Sequence, residues 1–195
     1  MALGRPRAFD ADKALDRALD VFWRKGYEGA TLPDLTEAMG INRPSLYAAF
    51  GNKEALFRKA LERYVAGPAA YIRAALEEPT AREVAEALFY GAIALLSDPK
   101  NPRGCLAVQS ALACGDEANA VRDELCARRR ALELAIRRRF QKARALGDLP
   151  ADVDPAALAG FAAAVTHGMS VQAAGGASRK ELKRVADMAL RAWPA

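Results

Sequence analysis

Between residues 31 and 57 the stretch TLPDLTEAMGINRPSLYAAFGNKEALF carries the start and stop signals of two short helices and the start of a third. Thr31 is a candidate N-cap, with Asp34 placed to complete an acidic capping box. Pro33 falls in the first turn, where its missing N–H costs little. Leu35 and Met39, one turn apart, give the segment a buried face, and Gly40 supplies the left-handed backbone that ends it. After Ile41, Asn42 starts a second helix with Pro44 in its first turn, and Gly51 stops it behind Phe50. Asn52 then caps a third helix that opens with Lys53 and Glu54. Two helices joined by so short a glycine-containing turn form either an ordinary helical hairpin or the helix-turn-helix that reads DNA.

The second helix separates into faces at about 100° per residue. Leu46 and Phe50 share one side and point inward, while Pro44, Ser45 and Ala48 lie opposite, flanked by Tyr47. Arg43 stands at the helix start with reach enough for a guanine edge. Ser45 is permissive, and Pro44 or Ala48 offers only apolar contact to a thymine methyl. Base-reading chemistry this thin leaves part of any specificity to DNA shape.

Three stretches carry a resemblance: GRPR at residues 4–7, FWRKGYEGAT closing the first helix, and LYAAFGNKEALF. On these the chain resembles the TetR family of bacterial transcriptional regulators. The match is specific over residues 5–60; the remainder agrees in length and helical character. The resemblance implies an all-α fold of about nine helices. It implies an N-terminal arm and three-helix DNA-binding bundle over residues 1–52, then a ligand-binding and dimerisation domain over 53–195. It places DNA contacts at Thr31, Asn42, Arg43, Pro44, Ser45, Tyr47 and Lys53, with Tyr47 and Lys53 on phosphates. Arg5 and Arg7 would enter the adjacent minor groove as an arm. The sequence departs from the family at Ala48 and Ala49, where many members carry an aromatic or a histidine.

Composition restricts the remaining classes. A chain of 195 residues, 52% hydrophobic and 27% charged, suits one large or two small folded domains rather than a disordered or fibrous chain. Lys and Arg outnumber Asp and Glu by 29 to 24, and a net charge of +5 favours nucleic acid over an acidic partner. The start MALGRPRAF has no apolar leader core, and the longest apolar stretch, near residues 155–166, is too short to span a bilayer. A cytoplasmic protein without membrane contact is expected. Cys105, Cys114 and Cys126 form neither a CxxC motif nor a disulfide framework, and with one histidine no metal site is expected. Neither a carboxylate pair, a Cys/His dyad nor a phosphate loop stands at workable spacing, so neither an enzyme nor a cofactor is indicated.

Elsewhere the chain reads as further helices. The first runs from Asp10 to Lys25, acidic at its start, basic at its end and stopped by Gly26. A fourth begins at Lys53 and continues toward Glu78, with a kink or break at Pro68. Thr80 with Glu83 opens a helix to Ser97, SDPKNPRG is a loop, and Cys105 to Ala113 form a short apolar helix. From Glu117 to Leu146, Val121, Leu125, Leu132, Ile136 and Phe140 share a face. The arginine triplets 128–130 and 137–139 read there as solvated surface. Asp154 with Pro155, and Ser178 with Glu181, open the last two helices.

In the family this last pair packs against its two-fold mate, so the resemblance implies a homodimer on a palindromic operator. Candidate interface residues are Phe161, Val165, Leu182, Val185, Ala189 and Trp193, unless these helices only close the protomer's own core. The resemblance also implies a repressor released by a small-molecule effector. Pocket candidates are Phe89, Tyr90, Cys105, Gln109, His167 and Met169, polar, aromatic or polarizable residues within apolar helices. Two alternatives stay open. One is a helical small-molecule binder without a DNA role. The other is a thiol-based redox or electrophile sensor through Cys105, which follows Gly104 and Arg103 as in some relatives.

Overall fold

A computed structural model describes residues 9–112 and 118–194, and helices are the regular elements among them. In chain order these are α1 (Ala11–Gly29), α2 (Leu32–Met39), α3 (Arg43–Phe50), α4 (Lys53–Ala66), α5 (Tyr71–Leu76), α6 (Ala81–Ser97), α7 (Leu106–Leu112), α8 (Asn119–Ala145), α9 (Pro155–Ala174) and α10 (Arg179–Arg191). The described residues thus hold ten helices, one more than the sequence suggests. The extra one arises at Pro68. With no N–H to donate there, α4 ends, Gly67 N–H closing on Arg63 O at 2.9 Å and Ala69 N–H on Tyr64 O at 2.9 Å, before α5 restarts. Gly26 likewise does less than stop α1. It adopts φ 71° and ψ 179° and kinks the helix, which resumes to Gly29.

Two apolar cores organise the chain. The first gathers Phe22 and Trp23 of α1, Leu35 and Met39 of α2, Leu46 and Phe50 of α3, and Leu56, Phe57, Leu61 and Tyr64 of α4. Phe22 meets Phe57 edge-on at 5.1 Å, and Tyr27 meets the same ring at 5.1 Å. Truncating one such buried ring to alanine costs about 3–5 kcal/mol, so these contacts hold α1 against α4. Arg63 reinforces the pairing from outside, with Nε on Asp16 at 2.6 Å and Nη1 on Asp12 at 2.8 Å. The second core is built from α6, α8, α9 and α10, around Leu88, Phe89, Phe140, Met169, Leu182 and Trp193.

The cores are not sealed from one another. Leu95 of α6, Leu106 and Ala111 of α7, and Val121 and Leu125 of α8 pack into the first. Helix α4 therefore belongs to the first core while also facing the larger helical body.

Candidate nucleic-acid interface and internal cavity

Helices α2 and α3 are set by their caps. Thr31 Oγ1 accepts from the Asp34 N–H at 3.2 Å while the Asp34 carboxylate accepts from the Thr31 N–H at 3.0 Å, completing the capping box. Lys25 of α1 clamps the same carboxylate at 2.7 Å. That contact first, then the Thr31 hydrogen bonds, pulls the Asp34 pKa down to about 2. Gly40 ends α2 at φ 67° and ψ 32°, a backbone that side-chain-bearing residues rarely adopt. Asn42 Oδ1 then accepts from the Ser45 N–H at 2.9 Å and starts α3, and Asn52 Oδ1 does the same for Ala55 at 2.8 Å to start α4.

Because Leu46 and Phe50 are buried, α3 presents its other side to solvent. Asn42, Arg43, Pro44 and Tyr47 are exposed, Ser45 is half-buried, and Tyr47 keeps 47% of its surface accessible. Thr31 lies exposed at the start of α2. Lys53, half-buried at the start of α4, stands 4.5 Å over the Tyr27 ring and donates to the Glu28 carbonyl at 3.5 Å. Arg5, Arg7 and Cys114 lie outside the described residues.

A cavity of about 380 Å³ opens where α4 to α9 meet. Cys105 and His167 are in its wall. Four other expected pocket residues are elsewhere. Phe89 and Met169 are fully buried in the second core. Tyr90 is 39% exposed on the surface and donates to Asp187 at 2.8 Å. Gln109 packs over Gly104, whose φ of 81° and crowded Cα leave no room for a Cβ. Helices α6 and α9 are buried on most sides, so their periodicity could not single out the cavity-facing side.

The polar lining residues unanticipated from sequence are Tyr64, Tyr71, Arg73, Arg128, Arg129, Thr166 and Ser170. Tyr64 and Tyr71 meet there only because the chain turns at Pro68. The first arginine triplet is correspondingly not plain solvated surface: Arg128 and Arg129 line the cavity. In the second triplet, Arg139 donates to the carbonyls of Glu78 and Pro79 at 2.5 and 2.6 Å.

The cavity wall touches the first core directly. Tyr64 Oη donates to Cys105 Sγ at 3.3 Å, and burial foremost, with Cys105 beside it, pushes this phenol well above its ordinary pKa. Burial does the same to Tyr71, so both hydroxyls stay neutral. One residue before Cys105, the Gly104 carbonyl accepts from Trp23 Nε1 of α1 at 2.8 Å, and the Trp23 ring meets Tyr64 edge-on at 4.7 Å. A second link runs through Glu124, which accepts from Arg58 of α4 at 2.7 Å and from the cavity's Arg128 at 3.0 Å. Among the described residues no group of His, Cys, Asp or Glu is placed to hold a metal ion, and no helix is long and apolar enough to cross a membrane.

Residues 14–60 match the family model described as bacterial regulatory proteins, tetR family, and residues 82–189 match a tetracyclin repressor-like C-terminal domain. The chain belongs to the TetR family. Among the family's curated members it is 38% identical over 193 residues to the HTH-type transcriptional repressor ComR of Escherichia coli, spanning 98% of this chain and 92% of that one. It is 51% identical to the regulator CifR, solved as a cysteine mutant with 26-base-pair double-strand operator DNA, at a TM-score of 0.92. That likeness covers 97% of this chain and 100% of the other. A TetR regulator from Rhodococcus sp. RHA1 is 42% identical, with a TM-score of 0.62 and coverage of 93% and 97%.

In this TetR-family chain the helices expected to pair with a mate divide their residues. Leu182, Ala189 and Trp193 are buried in the protomer's own core, which corrects their assignment to an outer interface. Phe161 is 40% exposed, and Val165 and Val185 are partly exposed. Val171 and Met188, missed in the sequence, are more open still, at 49% and 60%.

Proposed function

We propose that this TetR-family chain is a transcriptional repressor that binds double-stranded operator DNA as a homodimer and is released when a small molecule occupies the α4–α9 cavity. The exposed, doubly capped α3 carries this reading, because its apolar side is consumed by the core and its polar start is left outward. Arg43 and Ser45 are proposed at base edges, Pro44 against a methyl group, and Thr31, Asn42, Tyr47 and Lys53 along the backbone, with Arg5 and Arg7 in the minor groove. A two-fold pair would present both recognition helices to a palindrome, joined through Phe161, Val165, Val171, Val185 and Met188 of α9 and α10.

In this reading the DNA-reading unit runs to residue 52 and the effector-binding unit from 53, with α4 shared between their cores. The protein works in the cytoplasm as a regulator and not as an enzyme, in keeping with its relatives. Effector in the cavity would shift α4 through Tyr64 and α1 through the Trp23–Gly104 bond, changing the spacing of the two α3 helices. Footprinting on DNA flanking its own gene tests the DNA role. The wild type should protect a palindrome, and Arg43→Ala with Tyr47→Ala should abolish protection without unfolding the chain; equal protection by the variant would defeat the assignment.

A second reading is supported by one contact, the Tyr64 hydroxyl on Cys105 Sγ inside the cavity. There Cys105 would itself be the sensing group for oxidants or electrophiles. If Cys105→Ser leaves every oxidant response of operator binding unchanged, this reading fails.

A further inference from the structure

The charged side chains that line the cavity are all of one sign. Arg73, Arg128 and Arg129 line it, and no Asp or Glu does. Arg128 is committed to Glu124 at 3.0 Å. Arg129 is not so engaged: its Nη2 lies 3.2 Å from Cys126 Sγ, and among the described residues no carboxylate stands within salt-bridge distance of it. A half-buried guanidinium facing an apolar hollow without a counter-ion favours an anion there and disfavours a cation.

The hydroxyls narrow the choice. Thr166 Oγ1 donates to the Ala162 carbonyl at 2.9 Å and Ser170 Oγ to the Thr166 carbonyl at 3.0 Å, so neither proton is offered to a ligand. Tyr64 gives its proton to Cys105. What remains as donors are Arg129, the neutral Tyr71 hydroxyl, one N–H of His167, and Arg73, which is exposed to solvent where Arg129 is half-buried. Burial first, then the Arg129 charge, lowers the His167 pKa against a smaller opposing effect of Glu133, leaving the ring neutral near pH 7. The rest of the wall is largely hydrocarbon, from Leu61, Ile72, Leu95 and Leu132 among others.

We propose that the cavity takes an amphipathic organic acid, its carboxylate on Arg129 and its apolar body among Leu61, Ile72, Leu95 and Leu132. The assignment rests on the α4–α9 cavity being the effector site. Neutral congeners lose the charge-assisted hydrogen bonds to Arg129, and amine congeners meet uncompensated arginine charge in a site of low dielectric.

Calorimetry on the full chain at pH 7 with octanoate, 1-octanol and octylamine tests the assignment. Octanoate should bind about tenfold or more tightly than octanol, with no detectable octylamine binding. Arg129→Gln should remove the preference for the acid while leaving octanol binding in place, and Arg129→Lys should restore most of it, which a folding defect would not do. Octanol binding as tightly as octanoate, an acid preference that survives Arg129→Gln, or no octanoate binding at millimolar concentration would each overturn the proposal. Octanoate that binds through Arg129 yet leaves operator affinity unchanged would keep the ligand class and instead refute the link between cavity and operator.

Discussion

The chain's two tryptophans form a matched experiment. Trp23 and Trp193 are buried to similar degree, at 4% and 5% exposure, and each meets an aromatic edge, Tyr64 at 4.7 Å and Phe140 at 5.5 Å. They differ in one group. Trp23 Nε1 donates to the Gly104 carbonyl at 2.8 Å, whereas Trp193 Nε1 is buried without a hydrogen-bond partner among the described residues. Replacing either by phenylalanine removes a similar volume from a packed core, so the cavity terms nearly cancel between the two variants. Trp23→Phe also strands the buried Gly104 carbonyl, at a cost of about 1–3 kcal/mol. Trp193→Phe instead deletes an N–H whose burial was uncompensated, which offsets part of its packing loss. Trp23→Phe should therefore be less stable than Trp193→Phe by about 2 kcal/mol. Urea denaturation at one fixed protomer concentration, followed by circular dichroism and by the single remaining tryptophan, measures the difference. Equal destabilisation, or a larger effect at Trp193, would refute the assignment of energetic weight to the Trp23–Gly104 bond. Since that bond joins α1 to the cavity wall, Trp23→Phe should also weaken the response of operator binding to a cavity ligand.

Three further outcomes are expected. Tyr47→Ala should lower operator affinity by about tenfold or more in an anisotropy titration while changing stability by no more than about 0.5 kcal/mol, because the ring is half exposed and outside the core. The Asp34 carboxyl, with a folded pKa of about 2 against an ordinary 3.8, adds stability that is complete above pH 3.8 and is lost as pH falls toward 2; acid titrations of the wild type and Asp34→Asn should differ in slope within that window. Met188→Asp combined with Phe161→Asp should yield a monomer by sedimentation at micromolar protein with helical content retained, and a dimer unaffected by both charges would place the interface elsewhere.

The parts of this fold that are legible in sequence are those decided within a few residues. Thr31 with Asp34, Thr80 with Glu83 and Ser178 with Glu181 form capping boxes where the sequence suggests them, because the partners sit on one helical turn. The side of α3 turned inward is legible for the same reason, since Leu46 and Phe50 repeat at helical spacing. The cavity is not, because six helices assemble it. Arg128 and Arg129 look like solvated charge until α5 and α9 are placed beside them, and nothing in the spacing of Tyr64 and Tyr71 shows that a turn at Pro68 brings them to one wall. Along α10 and just past its end, apolar spacing finds Leu182, Ala189 and Trp193, but periodicity cannot tell a protomer's own core from a mate's surface. The exposed Met188 stands outside that pattern.

The proposed mechanism requires occupancy of the cavity and occupancy of α3 by operator to oppose each other. Calorimetric titration of one cavity ligand into the free protein and into the operator-bound protein measures this directly. Ligand should bind the operator complex more weakly than the free protein by about fivefold or more, with operator affinity falling by the same factor when ligand is saturating. Equal ligand affinity for the free and operator-bound protein would contradict it.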